Sequence, residues 1–172
     1  MLLYGPAALH AQGVDGRLHY PLREASGRAL ILVFITRECP VCNEYAPEIE
    51  RIYRTYRSKA MIALVFSDRY VTASTAKTHA GEFGLKGPAL FLDPVGKLAT
   101  ACNVGVTPEA AVFSPGGKET YTGRIDDLFY SYGSHRDRAT THDLRRAIDA
   151  TLAGDSVPKA SGPPVGCAIE TQ

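Results

Sequence analysis

Two unbroken apolar runs organise the first half of the chain. The stretches ALILVFI (29–35) and AMIALVF (60–66) are too short for buried helices and are rich in Val, Ile and Phe. Continuous apolar runs of this length are typical of strands in a sheet that is covered on both faces. They therefore predict two parallel strands at the centre of the fold.

The segment between these runs has the periodicity of a helix. Its apolar positions recur at helical spacing, which predicts a strand–helix–strand unit: Ile49, Ile52, Tyr53 and Tyr56. Pro47 falls inside this helix and should kink it, because proline lacks a backbone N–H. The basic residues of the same stretch are expected on a solvated outer face: Arg51, Arg54, Arg57 and Lys59.

Downstream of residue 66, helical and strand patterns alternate again. The pattern predicts a helix, a strand, a short helix opened by Pro94, and an antiparallel hairpin around the turn SPGG: 72–84, 89–93, 94–103 and 110–123. Strands alternating with helices indicate an α/β fold, in which a mixed central sheet has helices on both faces.

A final amphipathic helix closes the predicted domain. Thr140 or Thr141 is expected to cap it, and Gly154 to end it. One face of this helix carries an apolar stripe: Leu144, Ala147, Ile148 and Leu152.

Both ends of the chain are expected to lie outside the domain, which then covers residues 14–153. Residues 154–172 are rich in Pro, Gly and Ser and predict a tail. Residues 1–13 contain a short apolar run that ends in a small residue, as a signal peptide does, but they lack its positively charged opening segment. They therefore fit either a clipped export signal or a flexible lead-in. An exported, periplasmic location and a cytoplasmic one therefore both stay open.

Composition and charge exclude several classes of protein. With 172 residues and 45% hydrophobic content, the chain can bury a core without disulfide staples, so its four cysteines need another explanation. The 19 basic and 18 acidic residues form no long block of either sign, which argues against nucleic-acid binding. No stretch reaches the roughly 18 consecutive apolar residues of a membrane span. The oligomeric state stays open.

Cys39 and Cys42 lie where the first apolar run gives way to the helix. A helix N-terminus favours an anion such as a thiolate, and the carboxyl ends of strands are where ligands collect in open α/β sheets. The pattern predicts Cys39 as an attacking thiol of lowered pKa and Cys42, one turn inward, as the resolving thiol. A zinc site is disfavoured, because Cys102 and Cys167 are isolated and the histidines lack ligand spacing. No metal or cofactor is expected, and Cys102 is assigned to the core.

The chain resembles the thioredoxin superfamily over most of residues 14–153. The resemblance rests on the apolar strand before Cys39-Pro40-Val41-Cys42, on Pro47 after the second cysteine, and on GVTPEAAVFSPGGK downstream. The additional helix and strand over 72–93 are similar to the redoxin, or AhpC/TSA-like, branch of that superfamily. The resemblance implies a cis proline that faces the cysteines, at Pro108. It also implies that protein substrates contact four residues: Pro40, Val41, Thr107 and Pro108.

Three positions depart from the patterns of these relatives. Val33 stands where thioredoxin has a buried acid, and Glu38 stands where it has Trp. A carboxylate beside the thiol disfavours the thiolate, so the pair is expected to be a slower nucleophile than its motif suggests. Of the peroxiredoxin pattern Pro-x-x-x-Thr-x-x-Cys, only Thr36 and Cys39 match, because Leu32 replaces the proline.

The sequence thus predicts a thiol–disulfide oxidoreductase that exchanges disulfides with protein thiols and disulfides. Two alternatives stay open. One is a peroxiredoxin-like peroxidase with an antioxidant role, in which Cys39 becomes a sulfenic acid near Thr36 and Cys42 resolves it. The other is a Cu(I)-binding chaperone, since paired thiols are soft ligands that suit copper(I).

Two further segments have open roles. Cys167 lies in Gly-Cys-Ala-Ile (166–169), which is similar to the end of redoxin-like relatives. A flexible tail of about 13 residues reaches roughly 20 Å, so Cys167 is either a third redox thiol or an inert exposed cysteine. The irregular stretch 124–138, with Phe129, Tyr130 and Tyr132 expected at the surface, either lines a partner groove or packs over the sheet edge.

Overall fold

The computed structural model describes residues 9–170. The helices are α1 (Pro21–Glu24), α2 (Pro40–Tyr56), α3 (Ala73–Glu82), α4 (Lys97–Ala101) and α5 (Asp143–Ala153). The strands are β1 (Ala11–Gly13), β2 (Leu18–His19), β3 (Ala29–Ile35), β4 (Ala60–Phe66), β5 (Ala89–Leu92), β6 (Val106–Thr107), β7 (Glu109–Phe113), β8 (Glu119–Gly123), β9 (Phe129–Ser131), β10 (Ser134–His135) and β11 (Cys167–Ala168). None of the helices between residues 9 and 170 has the length and apolar character that crossing a bilayer requires.

A seven-stranded mixed sheet forms the centre of the molecule, in the order β2-β1-β5-β4-β3-β7-β8. Strands β3, β4 and β5 are parallel, and the other pairs of neighbours are antiparallel. In the central register, Val33 of β3 lies between Leu64 of β4 and Ala110 of β7. All of β3 and most of β4 are buried, as the two apolar runs predict.

The two faces of the sheet bury separate core layers. Because successive strand residues point to opposite faces, Ile31 and Val33 contribute to one layer and Leu30 and Leu32 to the other. The first layer also contains buried residues of α2, α3 and α5, and the second contains those of α4. The predicted mixed sheet with helices on both faces is confirmed, and the extra helix and strand are α3 and β5.

Helix α4 begins later than its sequence predicts. It starts after Gly96, and Pro94 lies in the preceding turn. The buried carboxylate of Asp93 accepts hydrogen bonds from the N–H groups of Leu98 at 3.1 Å and Ala99 at 2.9 Å. These bonds satisfy free donors of the first turn, so this acidic side chain stabilises the start of the helix.

The expected cap of the last helix is wrong. His142 precedes α5, and no side chain caps the helix there. The backbone N–H groups of Thr140 and Thr141 instead donate to the carboxylate of Asp127, at 2.6 and 2.8 Å, which holds both threonines in the preceding loop. The other end agrees with the prediction, because Gly154 ends α5 in the left-handed region with φ 73°.

Both chain ends pack more closely on the domain than their composition predicts. Residues 11–13 form β1 within the sheet, where a flexible lead-in was expected. The predicted tail follows the surface of the domain, and several of its apolar residues contact the first core layer: Val157, Ala160, Val165 and Cys167. Ile169 is 9% exposed and belongs to the second layer. The export-signal interpretation concerns mainly residues 1–8, which lie outside the described residues.

The stretch 124–138 contains the short hairpin β9–β10. Phe129 is buried and packs its ring 5.5 Å from that of Tyr45, so the expectation that it lies at the surface is wrong. Tyr130 and Tyr132 are exposed, at 60% and 65%. The hairpin therefore anchors itself with one aromatic ring and presents two others to solvent.

Candidate thiol site

Cys39 sits at the carboxyl end of β3, directly before the first residue of the seventeen-residue helix α2. Cys39 is 1% exposed and Cys42, one turn into the helix, is 3% exposed. Of the two residues between them, Pro40 is exposed, whereas Val41 is buried in the first core layer. Any surface that a substrate contacts between the cysteines is therefore provided by Pro40.

A polar network fixes the loop that leads into Cys39. The backbone N–H of Arg37 donates to Asp68 at 2.9 Å, and the Arg37 carbonyl accepts from Asn43 Nδ2 at 3.2 Å. His79 Nε2 donates to Asn43 Oδ1 at 2.8 Å, and burial lowers the pKa of this histidine. The network joins the loop after β3 to α2, to α3 and to the loop after β4. It therefore restrains the backbone of the loop that leads into Cys39.

Strand β6 approaches Cys39 from the opposite side. The peptide bond between Thr107 and Pro108 is cis, and both residues are buried. The Cys39 sulfur lies 3.4 Å from the backbone oxygen of Thr107, to which its protonated form donates. The hydroxyls of Thr36 and Thr107 lie 3.0 Å apart, so the Thr36 side chain is engaged with β6.

The C-terminal strand β11 pairs with β6 and brings Cys167 to the same place. In this antiparallel pair, Cys167 lies opposite Thr107 and Ala168 opposite Val106. The Thr107 hydroxyl donates to the Cys167 carbonyl at 3.3 Å, and the backbone N–H of Ile169 donates to the Gly105 carbonyl at 3.0 Å. Sequence analysis left the position of Cys167 open, and the structure places it next to Cys39.

The surroundings separate the acidities of the three thiols. Hydrogen bonds from Cys42, followed by those from Cys167, outweigh burial and lower the pKa of Cys39 to about 5. Burial and the charge of Cys39 raise the pKa of Cys42 well above its ordinary value. The same two causes raise the pKa of Cys167 to about 11. The slower nucleophile that Glu38 suggested is not supported, because that carboxylate is exposed and the pKa of Cys39 is lowered regardless.

An open cleft of about 350 Å³ reaches Cys39 beside the C-terminal strand. Its lining includes Arg37, Asp68 and Tyr70 together with Cys167 and Ala168 of the C-terminal strand. Burial raises the pKa of Asp68, and one of its carboxylate oxygens is buried without a hydrogen-bond partner. The cleft therefore leads toward the largely buried Cys39 from beside β11.

Several features of this site have no local signal in the sequence. Gly166 and Tyr132 belong to it only through the fold, because each lies far along the chain from the cysteine pair.

Cys102 is fully buried in the second core layer, as predicted, and burial raises its pKa to about 12. Within residues 9–170, no group of three or more His, Cys, Asp and Glu side chains is arranged to hold a metal ion.

The sheet order, the flanking helices and the cysteine pair at the start of α2 define a thioredoxin-like fold. The Redoxin family matches residues 13–128, which is more than half of the chain, so this protein belongs to the Redoxin family. A search of curated proteins found no match.

Solved structures share this fold. An uncharacterized conserved protein from Geobacillus kaustophilus is 24% identical with a TM-score of 0.78, covering 95% of this chain and 88% of its own. A hypothetical protein from Sinorhizobium meliloti 1021 is 22% identical with a TM-score of 0.81, covering 100% and 96%. A secreted Mycobacterium tuberculosis disulfide oxidoreductase, described as homologous to E. coli DsbE, is 14% identical with a TM-score of 0.59, covering 87% and 97%. At these identities the similarities show the fold.

Proposed function

We propose that this protein is a thiol–disulfide oxidoreductase that acts on protein disulfides, with Cys39 as the attacking thiolate and Cys42 as the resolving thiol. The observation that carries the proposal is the separation of acidity between the two. The pKa of Cys39 is about 5, so this thiol is ionised at neutral pH, while Cys42 keeps its proton. A pair in which one cysteine is a thiolate and the other stays protonated until the mixed disulfide has formed suits a two-step exchange.

In the first step, the Cys39 thiolate attacks one sulfur of a client disulfide. The client S–S bond breaks, one client sulfur leaves as a thiolate, and the other stays bound to Cys39 as a mixed disulfide. This step removes the negative charge of Cys39, which is one of the causes that raise the pKa of Cys42. Cys42 then loses its proton more easily and attacks the Cys39 sulfur. A Cys39–Cys42 disulfide forms, and the second client thiol leaves with the proton.

The docking surface for such a client is strand β6 with its neighbours Pro108 and Pro40. The β6 backbone already accepts an extended segment, because β11 pairs with it in antiparallel register. A client segment that replaced β11 would form the same main-chain hydrogen bonds and bring its disulfide beside Cys39. Thr107 and Pro108 would then contact the client backbone.

A thiol peroxidase is the second reading of the same thiols. It would use Thr36 beside the Cys39 thiolate, but the Thr36 hydroxyl lies 3.0 Å from that of Thr107. Disulfide exchange is therefore better supported. Hydrogen peroxide added to the reduced protein should oxidise Cys39 to a sulfenic acid no faster than it oxidises a free thiol of similar pKa. Faster oxidation would favour the peroxidase.

The roles of the two cysteines are tested with insulin as a disulfide client. Cys39→Ser should abolish insulin reduction, whereas Cys42→Ser should accumulate a long-lived mixed disulfide between Cys39 and insulin. Cys102→Ala provides the matched control, because this cysteine is buried away from the site and its removal should leave turnover intact. Equal trapping by the Cys39→Ser and Cys42→Ser variants would contradict the assignment.

A further inference from the structure

The C-terminal strap, defined here as residues 166–169, occupies the strand on which a protein client would dock. Cys167 and Ala168 pair with β6, and Ile169 anchors the end of the strap in the second core layer. Val157, Ala160 and Val165 contact the first layer on the way to this position. The strap thus crosses the edge of the domain at the thiol site and is held on both sides of it.

At Gly166 the backbone of the strap packs closely against Thr107 and Pro108. A Cβ atom at this position would lie 1.9 Å from the Thr107 carbonyl oxygen and 3.2 Å from Cδ of Pro108. Only glycine allows the backbone to approach the cis peptide this closely. Gly166 is therefore a positioning residue that brings the next residue, Cys167, to Cys39.

With the strap in this position, Cys39 lies between the thiols of Cys42 and Cys167. Cys42 lies one turn into the helix that Cys39 precedes, and Cys167 lies opposite Thr107, whose carbonyl oxygen is 3.4 Å from the Cys39 sulfur. Cys39 and Cys167 line the same cleft, and both neighbouring thiols lower the pKa of Cys39. Cys167 is partly exposed, whereas Cys42 is buried. Either neighbour can therefore reach the Cys39 sulfur, but only Cys167 belongs to a segment that a docking client would have to displace.

We propose that Cys167 is a second resolving thiol, which acts when the oxidant is a small disulfide that reaches Cys39 through the cleft and leaves the strap in place. This inference rests on the proposed function, because it requires Cys39 to be the attacking thiol. A protein client needs β6, so it displaces the strap and leaves resolution to Cys42. The size of the substrate then selects which intrachain disulfide forms.

The exchange with a small disulfide RSSR balances as follows. The Cys39 thiolate attacks one sulfur, the S–S bond of RSSR breaks, and RS⁻ leaves with a proton from solvent. Cys167 gives up its proton and attacks the Cys39 sulfur, a Cys39–Cys167 disulfide forms, and the second RS⁻ leaves and takes that proton. RSSR is reduced to two RSH, and the two protein thiols are oxidised to one disulfide.

The proposal is tested on the reduced Cys42→Ser protein with bis(2-hydroxyethyl) disulfide as the probe. Mass spectrometry should find a Cys39–Cys167 disulfide within one monomer, and neither cysteine should then react with iodoacetamide. A persistent hydroxyethylthio adduct on Cys39 with Cys167 freely alkylated would overturn the proposal, and so would a dimer linked through Cys167. Cys42→Ala gives the same readout if the serine variant folds poorly.

The role of the close packing at Gly166 is tested by a matched pair of glycine substitutions in the Cys42→Ser protein. Gly166→Ala should lower the rate of Cys39–Cys167 formation at least tenfold, because its Cβ must push the strap away from Thr107. Gly105→Ala should leave the rate unchanged, since a Cβ there would meet nothing within 4 Å. Equal rates in the two variants would show that the close packing of Gly166 against Thr107 has no part in the reaction.

Failure of this inference can be told apart from failure of the proposed function. Insulin reduction by the wild-type protein depends on Cys39 and Cys42, whereas the Cys39–Cys167 disulfide forms only if Cys167 acts as a second resolving thiol. If Cys39→Ser still reduces insulin, the proposed function is wrong. If insulin reduction follows the proposal but Cys167 never bonds to Cys39, only the second resolving thiol is wrong.

Discussion

The two cysteines that flank Cys39 are held in opposite ways. Cys42 lies on the seventeen-residue helix α2, whose buried face contributes seven residues to the interior. Cys167 lies on a two-residue strand that pairs with β6, and the following Ile169 is buried in the second core layer. The first thiol moves only if the core opens, whereas the second can move with a short segment at the edge.

Under the proposed function, this difference lets the one nucleophile, Cys39, serve two kinds of substrate. Segments with few buried contacts open at low free energy, while core helices open only with global unfolding. A rigid thiol keeps a fixed distance to Cys39 for every client. In the proposed mechanism, a releasable thiol gives access to β6 when a client competes for it, and returns when the client has left.

The largest expected effect separates the anchors of these two thiols. Ile49 of α2 is 1% exposed, and Ile49→Ala should lower the free energy of unfolding by about 2–5 kcal/mol, because it leaves a cavity in the main core. Ile169→Ala should lower it less, since Ile169 lies at the edge, but it should speed alkylation of Cys167 by freeing the strap. Urea unfolding and iodoacetamide kinetics measure the two effects. Equal losses of stability with unchanged Cys167 kinetics would show that the strap belongs to the rigid core.

The second prediction ranks the two thiols by their effect on Cys39. The rate at which iodoacetamide alkylates Cys39 should rise with pH around a midpoint of about 5. Removing a hydrogen-bond donor destabilises the thiolate, so the midpoint should move to higher pH. A hydrogen bond to a charged group contributes roughly 1.5–3 kcal/mol, or about one to two pH units. Cys42→Ala should give the larger shift and Cys167→Ala the smaller. The reverse order would contradict the ranking.

A third prediction concerns the tether that holds the chain before the strap. Buried Asp143 accepts hydrogen bonds from Ser161 N–H at 3.0 Å and Ser161 Oγ at 2.9 Å, and pairs with Arg124 at 2.7 Å. Ser161→Ala should lower the free energy of unfolding by about 1 kcal/mol at neutral pH. Ser156→Ala, at an exposed serine of the same segment, is the control.

The tether should depend on pH in a defined direction. Burial alone would raise the pKa of Asp143, but Arg124 and Ser161 lower it overall. A carboxyl whose folded pKa is depressed stabilises the protein above its unfolded pKa and loses this contribution as pH falls through the folded pKa. Urea unfolding of wild type and Ser161→Ala should therefore converge below about pH 4. A difference that stays constant well below pH 4 would mean that Ser161 acts without the Asp143 charge.

The sequence predicted those parts of the molecule whose signal is local. Continuous apolar runs predicted β3 and β4, because a strand buried on both faces has no polar side to show. Gly154 predicted the end of α5, because a left-handed residue at a helix end favours glycine. The positions of Cys39 and Cys42 also follow from a local rule, since a CxxC pair after a buried strand lies at the start of the next helix.

The missed features depend on partners far along the chain. Thr140 and Thr141 have the composition of helix caps, but their N–H groups go to Asp127, thirteen and fourteen residues away. The C-terminal segment has the composition of a disordered tail, but Gly166 fits a contact with Thr107 that exists only in the folded protein. Glu38 was expected to disfavour the Cys39 thiolate, but the pKa of Cys39 is lowered by Cys42 and by the distant Cys167, which no local pattern places there.

The smallest expected effect tests the strap from its solvent side. Tyr132, at the exposed turn of the β9–β10 hairpin, hydrogen-bonds the Cys167 side chain and lowers its pKa, against the burial that raises it to about 11. Tyr132→Phe should therefore raise the pKa of Cys167 further, but only slightly, because solvent weakens the hydrogen bond of an exposed phenol. The pH profile of Cys167 alkylation in the Cys39→Ser background isolates this contribution from the Cys39 charge. Tyr130→Phe, at the neighbouring exposed tyrosine, should leave the profile unchanged, and a lowered pKa in Tyr132→Phe would show that the phenol opposes the thiolate.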